Sequence, residues 1–378
     1  MIGTFDRLVV ERSAADSVTA GRLMRWASRH AVELAFDDEE EGGREARAER
    51  SRRVLRLTRH VGAVLRPCTG RTDSLLCCNL RVVTQVVGCP LDCSYCILQQ
   101  YQNRGEITVR VDPDRILDQL VAELAAHPRR LLRVCSGQVA DSLALEPEVG
   151  FAARAVERFA GLPGGVLELK TKTDAVAPLL GLAHGGRTII SWSLNPADVV
   201  RQEEHGTADL PRRLAAARRA AEAGYLLAFH LDPMVTVDAD PGPHVELVRQ
   251  VARAVPVDRV AYLSMGTVRF HPAMRRLVGG RPGASRVTQA ELLPDVDGKL
   301  RLISPLRVEL YRRVADEIRE RFPDAFLYLC MEPARVWRQA LGVDHRTWQQ
   351  VELALASSLH RRFDLAPCEP VESDYPKD

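Results

Sequence analysis

Short apolar runs alternate with helical patterns from Arg81 onward, and this alternation constrains the fold more than any other feature. Runs of strand length occupy Arg81 to Val87, Leu131 to Cys135, Val166 to Leu169, Thr188 to Leu194, Tyr225 to Leu231 and Arg259 to Met265. Helical patterns occupy Pro113 to His127, Val149 to Phe159, Ala175 to Leu182, Leu210 to Ala223 and Val245 to Ala254. Right-handed crossovers return the chain to the same direction, which makes the strands parallel. The pattern predicts an α/β fold built on a partial (β/α)6 TIM-like barrel.

The regions on either side of this pattern are predicted to be additions to the barrel. We assign residues 1 to 80 to an N-terminal extension with a short helix at Leu23 to Leu34, residues 81 to 270 to the barrel, and residues 271 to 378 to a C-terminal α+β extension. Glycine and proline interrupt the chain after Phe270, and a hairpin turn is predicted at Val296 to Lys299. Helices at 306–322, 335–341 and 347–363 and a strand at 326–331 are expected to follow.

Polar residues follow several of the predicted strands. They are Ser136-Gly137-Gln138, Lys172, Ser193-Leu194-Asn195 and His230-Leu231-Asp232. In a parallel barrel the active site is built at the carboxyl ends of the strands. We therefore expect these residues to gather at one end of the barrel, beside the cysteine-rich loop that follows the first strand.

That loop carries Cys89, Cys93 and Cys96 in a C-x3-C-x2-C pattern. Three thiolates can hold three irons of a [4Fe-4S] cluster, which leaves the fourth iron open to a ligand that is not protein. Two alternatives are a structural zinc knuckle and three unrelated buried cysteines. Zinc would need a fourth cysteine or histidine at short spacing, and none follows Cys96 closely.

Composition limits the location and partners of the chain. Its apolar runs are interrupted before 18 residues, so no membrane span is expected, and Met1 to Arg12 lack the regions of a signal peptide. We predict a cytoplasmic protein. In a reducing compartment its nine cysteines are better explained as cluster ligands and thiols than as disulfides. The sequence assigns no function to Cys68, Cys77, Cys78, Cys330 and Cys368; we expect buried thiols, and a radical-quenching role for one of them stays open.

The cysteine motif, with Tyr95 before its last cysteine, resembles the signature of radical S-adenosylmethionine (SAM) enzymes. The resemblance implies that SAM binds the open iron and that one electron, from a donor such as flavodoxin or ferredoxin, cleaves it to methionine and a 5'-deoxyadenosyl radical. Six segments further resemble spore photoproduct lyases, which split a methylene-bridged thymine dimer in DNA: 88–99, 141–146, 170–173, 191–195, 204–213 and 223–233. The stretch from Glu204 to Ala208, with Leu210 and Arg213, is the most specific.

The resemblance also implies roles for individual residues. Tyr95 is similar to the tyrosine that lines the SAM site, and Ser136, Gly137 and Gln138 lie where backbone and a polar side chain meet the amino group of SAM. Lys172 resembles the lysine near the SAM carboxylate, a match of charge that suits that anion. Ser193 resembles the serine that hydrogen-bonds SAM.

The chain departs from the family pattern at two positions. Characterised lyases have a tyrosine on each side of the third cluster cysteine, whereas here Ile97 follows Cys96. Isoleucine cannot carry a phenoxyl radical, so a two-tyrosine relay is excluded in that form. The family also has a cysteine after the second strand that donates a hydrogen atom to the product, and Cys135 lies in that region. If the alignment is anchored at Asp141, however, Gln138 takes the place of this cysteine and Cys135 lies three residues before it. Cys135 and Tyr95 are the candidate catalytic residues.

DNA is the first predicted partner. Arginines and one histidine are concentrated after the last barrel strand, and they could line a groove for DNA phosphates; they are Arg269, His271, Arg275, Arg276, Arg281, Arg286 and Arg301. Ordinary surface charge explains them equally well. The predicted function is radical cleavage of a thymine photoproduct in DNA. The alternatives are a related radical enzyme that acts on a nucleoside or metabolite, and a non-enzymatic iron-sulfur protein that binds DNA.

Overall fold

The computed structural model describes residues 5–37, 53–72, 74–101, 105–279 and 285–375. The strands are β1 (Arg7–Glu11), β2 (Glu33–Asp37), β3 (Val54–Thr58), β4 (Leu65–Pro67), β5 (Arg81–Val83), β6 (Val86–Val87), β7 (Asp92–Cys93), β8 (Ile107–Arg110), β9 (Leu132–Cys135), β10 (Gly165–Thr171), β11 (Thr188–Ser193), β12 (Glu204–His205), β13 (Leu226–Met234), β14 (Val260–Thr267), β15 (Arg269–Phe270), β16 (Leu292–Pro294), β17 (Leu300–Leu302) and β18 (Phe326–Leu329).

The helices alternate with these strands in the middle of the chain and dominate its C-terminal part. They are α1 (Val18–Arg29), α2 (Leu98–Tyr101), α3 (Pro113–Ala125), α4 (Glu146–Val149), α5 (Phe151–Phe159), α6 (Ala197–Glu203), α7 (Leu210–Glu222), α8 (Gly242–Ala254), α9 (Pro272–Gly279), α10 (Arg286–Gln289), α11 (Ser304–Arg321), α12 (Ala334–Leu341) and α13 (Trp348–Phe363). In the described part of the chain, none of them is both long enough and apolar enough to cross a membrane.

The central element is a curled sheet with the strand order β18-β14-β13-β11-β10-β9-β5-β4. Every neighbouring pair from β5 to β18 is parallel, and β4 pairs antiparallel at the edge. The predicted α/β partial barrel is therefore confirmed. The sheet also gains a seventh parallel strand, because β18, predicted within the C-terminal extension, pairs with β14.

Helix α3 illustrates how the sequence builds the outer layer. It begins at Pro113, where a missing N–H costs nothing because the first turn has no intrahelical partner for it. Its apolar residues recur with helical spacing, and Ile116, Leu117, Leu120 and Leu124 are all buried. The same principle covers the sheet elsewhere, so the barrel strands are buried on both faces.

The N-terminal part forms a sheet of its own, with the order β2-β1-β3-β8-β6. Its first helix begins earlier than predicted, because the Ser17 hydroxyl accepts from the Ala20 amide and caps α1. The predicted strand from Arg81 to Val87 is wrong as a single element: β5 joins the barrel, whereas β6 pairs antiparallel with β8 in the N-terminal sheet. The division at residue 80 stays a prediction.

Two predicted helices also differ from the structure. Residues 175–182 form only a 3-10 turn, Ala177–Leu179, because Pro178 removes one backbone donor and Gly181 follows at once. The predicted helix from Val149 is interrupted at Gly150, whose φ of 65° is left-handed, and this break separates α4 from α5.

The chain after β14 adds a small antiparallel sheet, β15-β17-β16, and the predicted hairpin turn lies between β16 and β17. Its apolar side chains form a second core with the cysteine loop. Phe270 and Met274 pack there with Cys93 and Tyr95, while Ile97 is partly buried against the same core. The cysteine loop is thus covered by residues from the C-terminal region.

Candidate active site

The cysteine loop leaves the N-terminal sheet after β6 and is fixed by backbone hydrogen bonds. Gly88, with a φ of 97°, donates its amide to the Val139 carbonyl at 2.9 Å. Strand β7 pairs antiparallel with β12, which places Cys93 opposite Glu204. The Ser94 amide donates to the Glu203 carbonyl at 2.8 Å. The loop is therefore held from both sides rather than suspended in solvent.

The donor set of this loop suits an iron-sulfur cluster. Cys89, Cys93 and Cys96 are free thiols, and Cys89 and Cys96 are partly exposed. Burial raises the pKa of Cys89 and of Cys93 well above that of an ordinary thiol, and the neighbouring Cys96 sulfur adds to the effect. Thiolates gathered here would need cationic iron to compensate for their charge. Among the described residues, no three His, Cys, Asp or Glu side chains are already arranged around a metal ion, so donor chemistry and spacing carry the fit.

Glu204 is the electrostatic centre of the site. Its Oε1 accepts from the Tyr95 hydroxyl, from Lys172 Nζ at 2.9 Å and from Asn195 Nδ2 at 2.9 Å. Its Oε2 forms an ion pair of 2.7 Å with Arg213. Burial would raise the pKa of Glu204, but the charges of Lys172 and Arg213 outweigh it and lower this pKa to about 2. The carboxylate stays ionised and fixes the surrounding donors.

Arg213 and Asn195 hold this arrangement in place. The Arg213 guanidinium is fully buried and donates to the Ser193 carbonyl at 2.9 Å and to the Thr207 hydroxyl at 2.6 Å. Asn195 also donates to the Pro233 carbonyl at 3.0 Å. These bonds join the ends of β11 and β13 to the segment that carries Glu204.

Lys172 and Ser193 lie side by side at the barrel mouth. Lys172 Nζ donates to Ser193 Oγ at 3.2 Å, and Ser193 Oγ donates in turn to the Asp232 carbonyl at 3.1 Å. Lys172 Nζ also lies 5.6 Å from the centre of the Tyr95 ring, within the range of a cation–π contact. The predicted SAM residues Tyr95, Lys172 and Ser193 therefore form one connected group.

The loop after β9 is held against the end of β10. Ser136 Oγ donates to Ser142 Oγ at 2.8 Å, and Ser142 Oγ accepts from the Lys170 amide at 3.0 Å. A Cβ on Gly137 would lie 2.7 Å from the Lys170 carbonyl oxygen, so only glycine fits there. Gln138 turns away from this contact, and its Nε2 donates to Cys68 Sγ at 2.9 Å and to the Thr69 hydroxyl at 3.1 Å.

The barrel interior is polar, and Cys135 lies in it. Alternate residues of a strand share a face, so Cys135 points the same way as Arg133, which pairs with Glu168 at 3.1 Å. His230 Nε2 contacts Glu168 at 2.6 Å, so this histidine belongs to the interior network. Cys135 is fully buried, and burial raises its pKa to about 12. Its thiol is protonated at neutral pH.

A second group of cysteines lies near the carboxyl ends of β9 and β14, outside the cluster loop. Cys68, Cys77 and Cys78 come from the segment between β4 and β5, and Cys330 follows β18. Cys78 Sγ accepts from Arg133 at 2.7 Å, and Cys330 Sγ accepts from Arg269 at 3.3 Å. Cys77 and Cys78 are buried as expected, whereas Cys68, Cys330 and Cys368 are partly exposed.

The predicted arginine groove is wrong for part of its members. Arg269 pairs with Asp232 at 2.9 Å, and the fully buried Arg301 pairs with Asp297 at 2.5 Å. Arg286 pairs with Asp198 at 2.6 Å. These guanidinium groups neutralise carboxylates of the same chain. Arg275 and Arg276 are exposed, and Arg281 lies outside the described residues.

Sequence reasoning missed the roles of Glu204, Arg213 and Asn195 in building the site. Glu204 and Arg213 were visible only as part of the most specific family stretch, and no spacing rule links them to Lys172. The available signal for their roles was the presence of a carboxylate and an arginine in that stretch, in a chain that has few lysines besides Lys172. Only the folded sheet shows that β12 carries the carboxylate to the cysteine loop.

Comparison with known proteins identifies the family. The family model described as spore photoproduct lyase matches residues 80–289, which is more than half of the chain. The spore photoproduct lyase of Bacillus subtilis is 29% identical over 172 residues, covering 45% of this chain and 50% of that protein. The Geobacillus enzyme is 30% identical over 167 residues, covering 44% and 49%. The alignments thus span about half the length of these curated relatives.

Solved structures share the fold. A variant of spore photoproduct lyase with bound AdoMet and dinucleoside spore photoproduct has a TM-score of 0.74 at 21% identity and covers 86% of this chain and 98% of its own. Spore photoproduct lyase complexed with dinucleoside spore photoproduct has a TM-score of 0.73 at 21% identity, with coverage of 87% and 99%. The radical SAM type of partial barrel and the resemblance read from the sequence are both confirmed. The chain belongs to the spore photoproduct lyase family.

Proposed function

We propose that the protein is a radical SAM lyase that repairs a thymine photoproduct in DNA. The observation that carries this proposal is the placement of the three-cysteine loop against the Glu204 network, so that Tyr95, Lys172 and Ser193 face the same barrel mouth as the cysteines. A SAM molecule that binds the open iron would lie between them. The family match and the titles of the neighbouring lyase structures support the same reaction.

The residues divide into cluster ligands and SAM-binding groups. Cys89, Cys93 and Cys96 would hold a [4Fe-4S] cluster, which supplies the electron that cleaves SAM into methionine and a 5'-deoxyadenosyl radical. Lys172 offers its ammonium to the SAM carboxylate, and Ser193 offers its hydroxyl. The loop formed by Ser136, Gly137 and Gln138 would offer backbone groups toward the SAM amino group, while the Gln138 side chain is held by Cys68 and Thr69.

Glu204 keeps these groups oriented without binding SAM itself. It pairs with Lys172 and Arg213, and it accepts a hydrogen bond from the Tyr95 hydroxyl. Burial together with the Glu204 charge raises the pKa of Tyr95 well above its usual value, so the hydroxyl keeps its proton. Such preorganisation spares the site from rearranging its charges when SAM arrives.

The substrate would enter at the barrel mouth. Relatives are seen with dinucleoside spore photoproduct, and we propose a thymine photoproduct in DNA for this chain as well. Abstraction of a hydrogen atom from the lesion by the deoxyadenosyl radical would trigger cleavage of the bridging bond. A thiol must then return a hydrogen atom to the product, and Cys135 stays a predicted donor. We also propose a cytoplasmic location and a flavodoxin- or ferredoxin-like electron donor.

One observation favours the second candidate, a radical enzyme that acts on a nucleoside or metabolite. Ile97 packs into an apolar core beside Tyr95, so no second phenol follows the third cluster cysteine. A hydrogen-atom relay of two tyrosines is therefore absent from the described loop. This departure from the relay of the characterised lyases favours a different use of the same radical.

Incubation of reduced, anaerobically reconstituted enzyme with SAM and dinucleoside spore photoproduct tests the proposal. We expect both 5'-deoxyadenosine and repaired thymine dinucleoside, measured by liquid chromatography and mass spectrometry. Deoxyadenosine without repaired thymine would contradict photoproduct repair and favour the second candidate. The absence of deoxyadenosine would contradict radical SAM chemistry altogether. Cys368→Ala is a control variant that should form both products, because this cysteine contacts the Arg129 carbonyl, away from the cluster loop.

A further inference from the structure

Four cysteines outside the cluster motif meet at the barrel mouth, and the fold holds them there. The segment between β4 and β5 is tied to the residues after β18 by the Leu76 amide, which donates to the Glu332 carbonyl at 3.0 Å. The Cys330 amide donates to the Met265 carbonyl at 2.8 Å, which fixes this residue at the end of β14. Cys68, Cys77, Cys78 and Cys330 thus form one side of the mouth, which we call the sulfur side.

Cys68 has the contacts of a positioned thiol. Its sulfur accepts from Gln138 Nε2 at 2.9 Å and from the Gly70 amide at 3.4 Å, and it is hydrogen-bonded to Cys77. All three bonds use the Cys68 sulfur as an acceptor, because the bond with Cys77 lowers the pKa of Cys68 and raises that of Cys77, so Cys77 is its donor. The S–H hydrogen of Cys68 is therefore left to point elsewhere. Cys68 is partly exposed, whereas Cys77 behind it is only 3% exposed.

The place of Cys68 matters because of its neighbour. With Asp141 as the anchor, the resemblance puts Gln138 at the place of the family's hydrogen-donating cysteine, and in this chain the Gln138 amide holds the Cys68 sulfur. Cys135, the other candidate, is fully buried and its sulfur accepts from the Gly137 amide at 3.3 Å. A thiol donates a hydrogen atom only at near contact with the carbon radical. Cys68 is partly exposed at the mouth and can be approached by a substrate, whereas Cys135 is fully buried.

We propose that Cys68 is the hydrogen-atom donor to the product radical and that Cys77 takes over the radical from it. This inference rests on the proposed function, because it needs a carbon radical at the barrel mouth. In the family the hydrogen-donating thiol is carried by the loop after β9. In this chain it would be the Cys68 thiol, from the segment between β4 and β5. Gln138 would be its positioning residue.

The product radical is quenched by two successive hydrogen-atom transfers, followed by one reduction. The S–H bond of Cys68 breaks, a C–H bond forms on the thymine product, and a thiyl radical is left on Cys68. Transfer of a hydrogen atom from Cys77 S–H restores the Cys68 thiol and moves the radical to the buried sulfur. One electron from the protein reductant that serves the cluster, together with one proton, returns Cys77 to its thiol.

Repair assays in D2O, with dinucleoside spore photoproduct as the probe, test the assignment. In the wild type we expect one deuterium in the repaired thymine, because thiol hydrogens exchange with solvent. In Cys68→Ala we expect the ratio of repaired thymine to deoxyadenosine to fall by about 10-fold or more, because the positioned donor is lost. Continued deoxyadenosine formation shows that the variant is folded and cleaves SAM. Cys368→Ala is the control and should keep the wild-type ratio.

Two further measurements separate a chemical role from a structural one. Cys68→Ala/Gln138→Cys moves a thiol to the adjacent position and should restore part of the repair yield. Independently of activity, iodoacetamide should alkylate Cys68 of the unreconstituted protein faster than Cys77, Cys78 or Cys135, and dinucleoside photoproduct should slow this alkylation, as read by peptide mass spectrometry.

The outcomes distinguish this inference from the proposed function. A normal ratio of repaired thymine to deoxyadenosine in Cys68→Ala, with the loss in Cys135→Ala instead, overturns the Cys68 assignment and leaves photoproduct repair intact. Unchanged alkylation of Cys68 in the presence of the photoproduct also counts against it. If the wild type forms deoxyadenosine but no repaired thymine, the proposed function fails and the Cys68 assignment fails with it.

Discussion

The two sides of the barrel mouth are built from opposite kinds of chemistry. On the carboxylate side, Glu204 is surrounded by Tyr95, Lys172, Asn195 and Arg213, and charge fixes every donor. On the sulfur side, Cys68 contacts both Cys77 and the neutral amide of Gln138. The first arrangement suits a zwitterionic ligand such as SAM, and the second suits transfer of neutral hydrogen atoms.

The difference indicates that the carboxylate side serves SAM binding, whereas the sulfur side serves quenching of the product radical. Buried charges hold a geometry firmly but are costly to leave unpaired. Thiols carry no net charge when protonated and can change partners at little electrostatic cost. Variants on the carboxylate side should therefore lose SAM cleavage and stability, whereas Cys68 variants should keep both and lose only product. Cys78 is the exception on the sulfur side, because its sulfur accepts from the buried Arg133.

The largest effect is expected from Cys93→Ala. The variant removes one of three cluster ligands from the loop that faces Glu204, so iron content should drop and deoxyadenosine should fall below detection. Iron assay and chromatography measure the two quantities. Cys330→Ala on the sulfur side serves as the comparison and should keep its iron. Equal loss of iron in both variants would contradict the division.

Glu204→Gln should follow in size. The amide keeps the shape of the side chain but leaves the buried charges of Lys172 and Arg213 without a counter-charge, so we expect a loss of about 3–5 kcal/mol in the free energy of unfolding. Urea titration measures it, and calorimetry should show weaker SAM binding. Glu246→Gln is the matched control, because its pair with Arg253 is exposed and screened by solvent, so this variant should lose far less stability. Similar losses in both variants would refute a central role for Glu204.

The contribution of the Glu204 carboxylate to stability should depend on pH. The pKa of Glu204 is lowered to about 2 in the folded chain, below the value near 4.3 expected for an unfolded glutamate. Its contribution to stability is thus fully present above pH 4.3 and is lost as pH falls toward 2. The difference in unfolding free energy between wild type and Glu204→Gln should shrink over this window. A difference that stays constant from pH 5 to pH 3 would show that the carboxylate is not held ionised by its partners.

The smallest effect is expected from exposed charge. Arg275→Ala/Arg276→Ala removes two exposed guanidinium groups from α9 and should change stability by no more than about 0.5 kcal/mol. If these arginines contact phosphates, the salt dependence of duplex DNA binding should weaken by about one to two counterions. Fluorescence anisotropy at several salt concentrations measures the slope. An unchanged slope would remove α9 from the DNA-binding surface.

The sequence predicted the individual strands and helices better than the contacts between them. The strand-helix alternation gave the barrel because apolar periodicity is a local property, and the cysteine spacing marked the cluster loop for the same reason. Nothing local shows that β18 joins the sheet or that Glu204 reaches Lys172 from another segment. The buried pairing of Arg301 with Asp297 also required the folded hairpin. Contacts between distant segments, rather than patterns, decide these features.

The most direct test of the central claim is the electron paramagnetic resonance spectrum of the reduced, reconstituted protein with and without SAM. An open iron beside a preorganised SAM site would bind SAM, so SAM should change the cluster signal of the wild type, and Glu204→Gln should require more SAM for the same change. A cluster signal that SAM does not alter, at concentrations that saturate binding, would contradict the account.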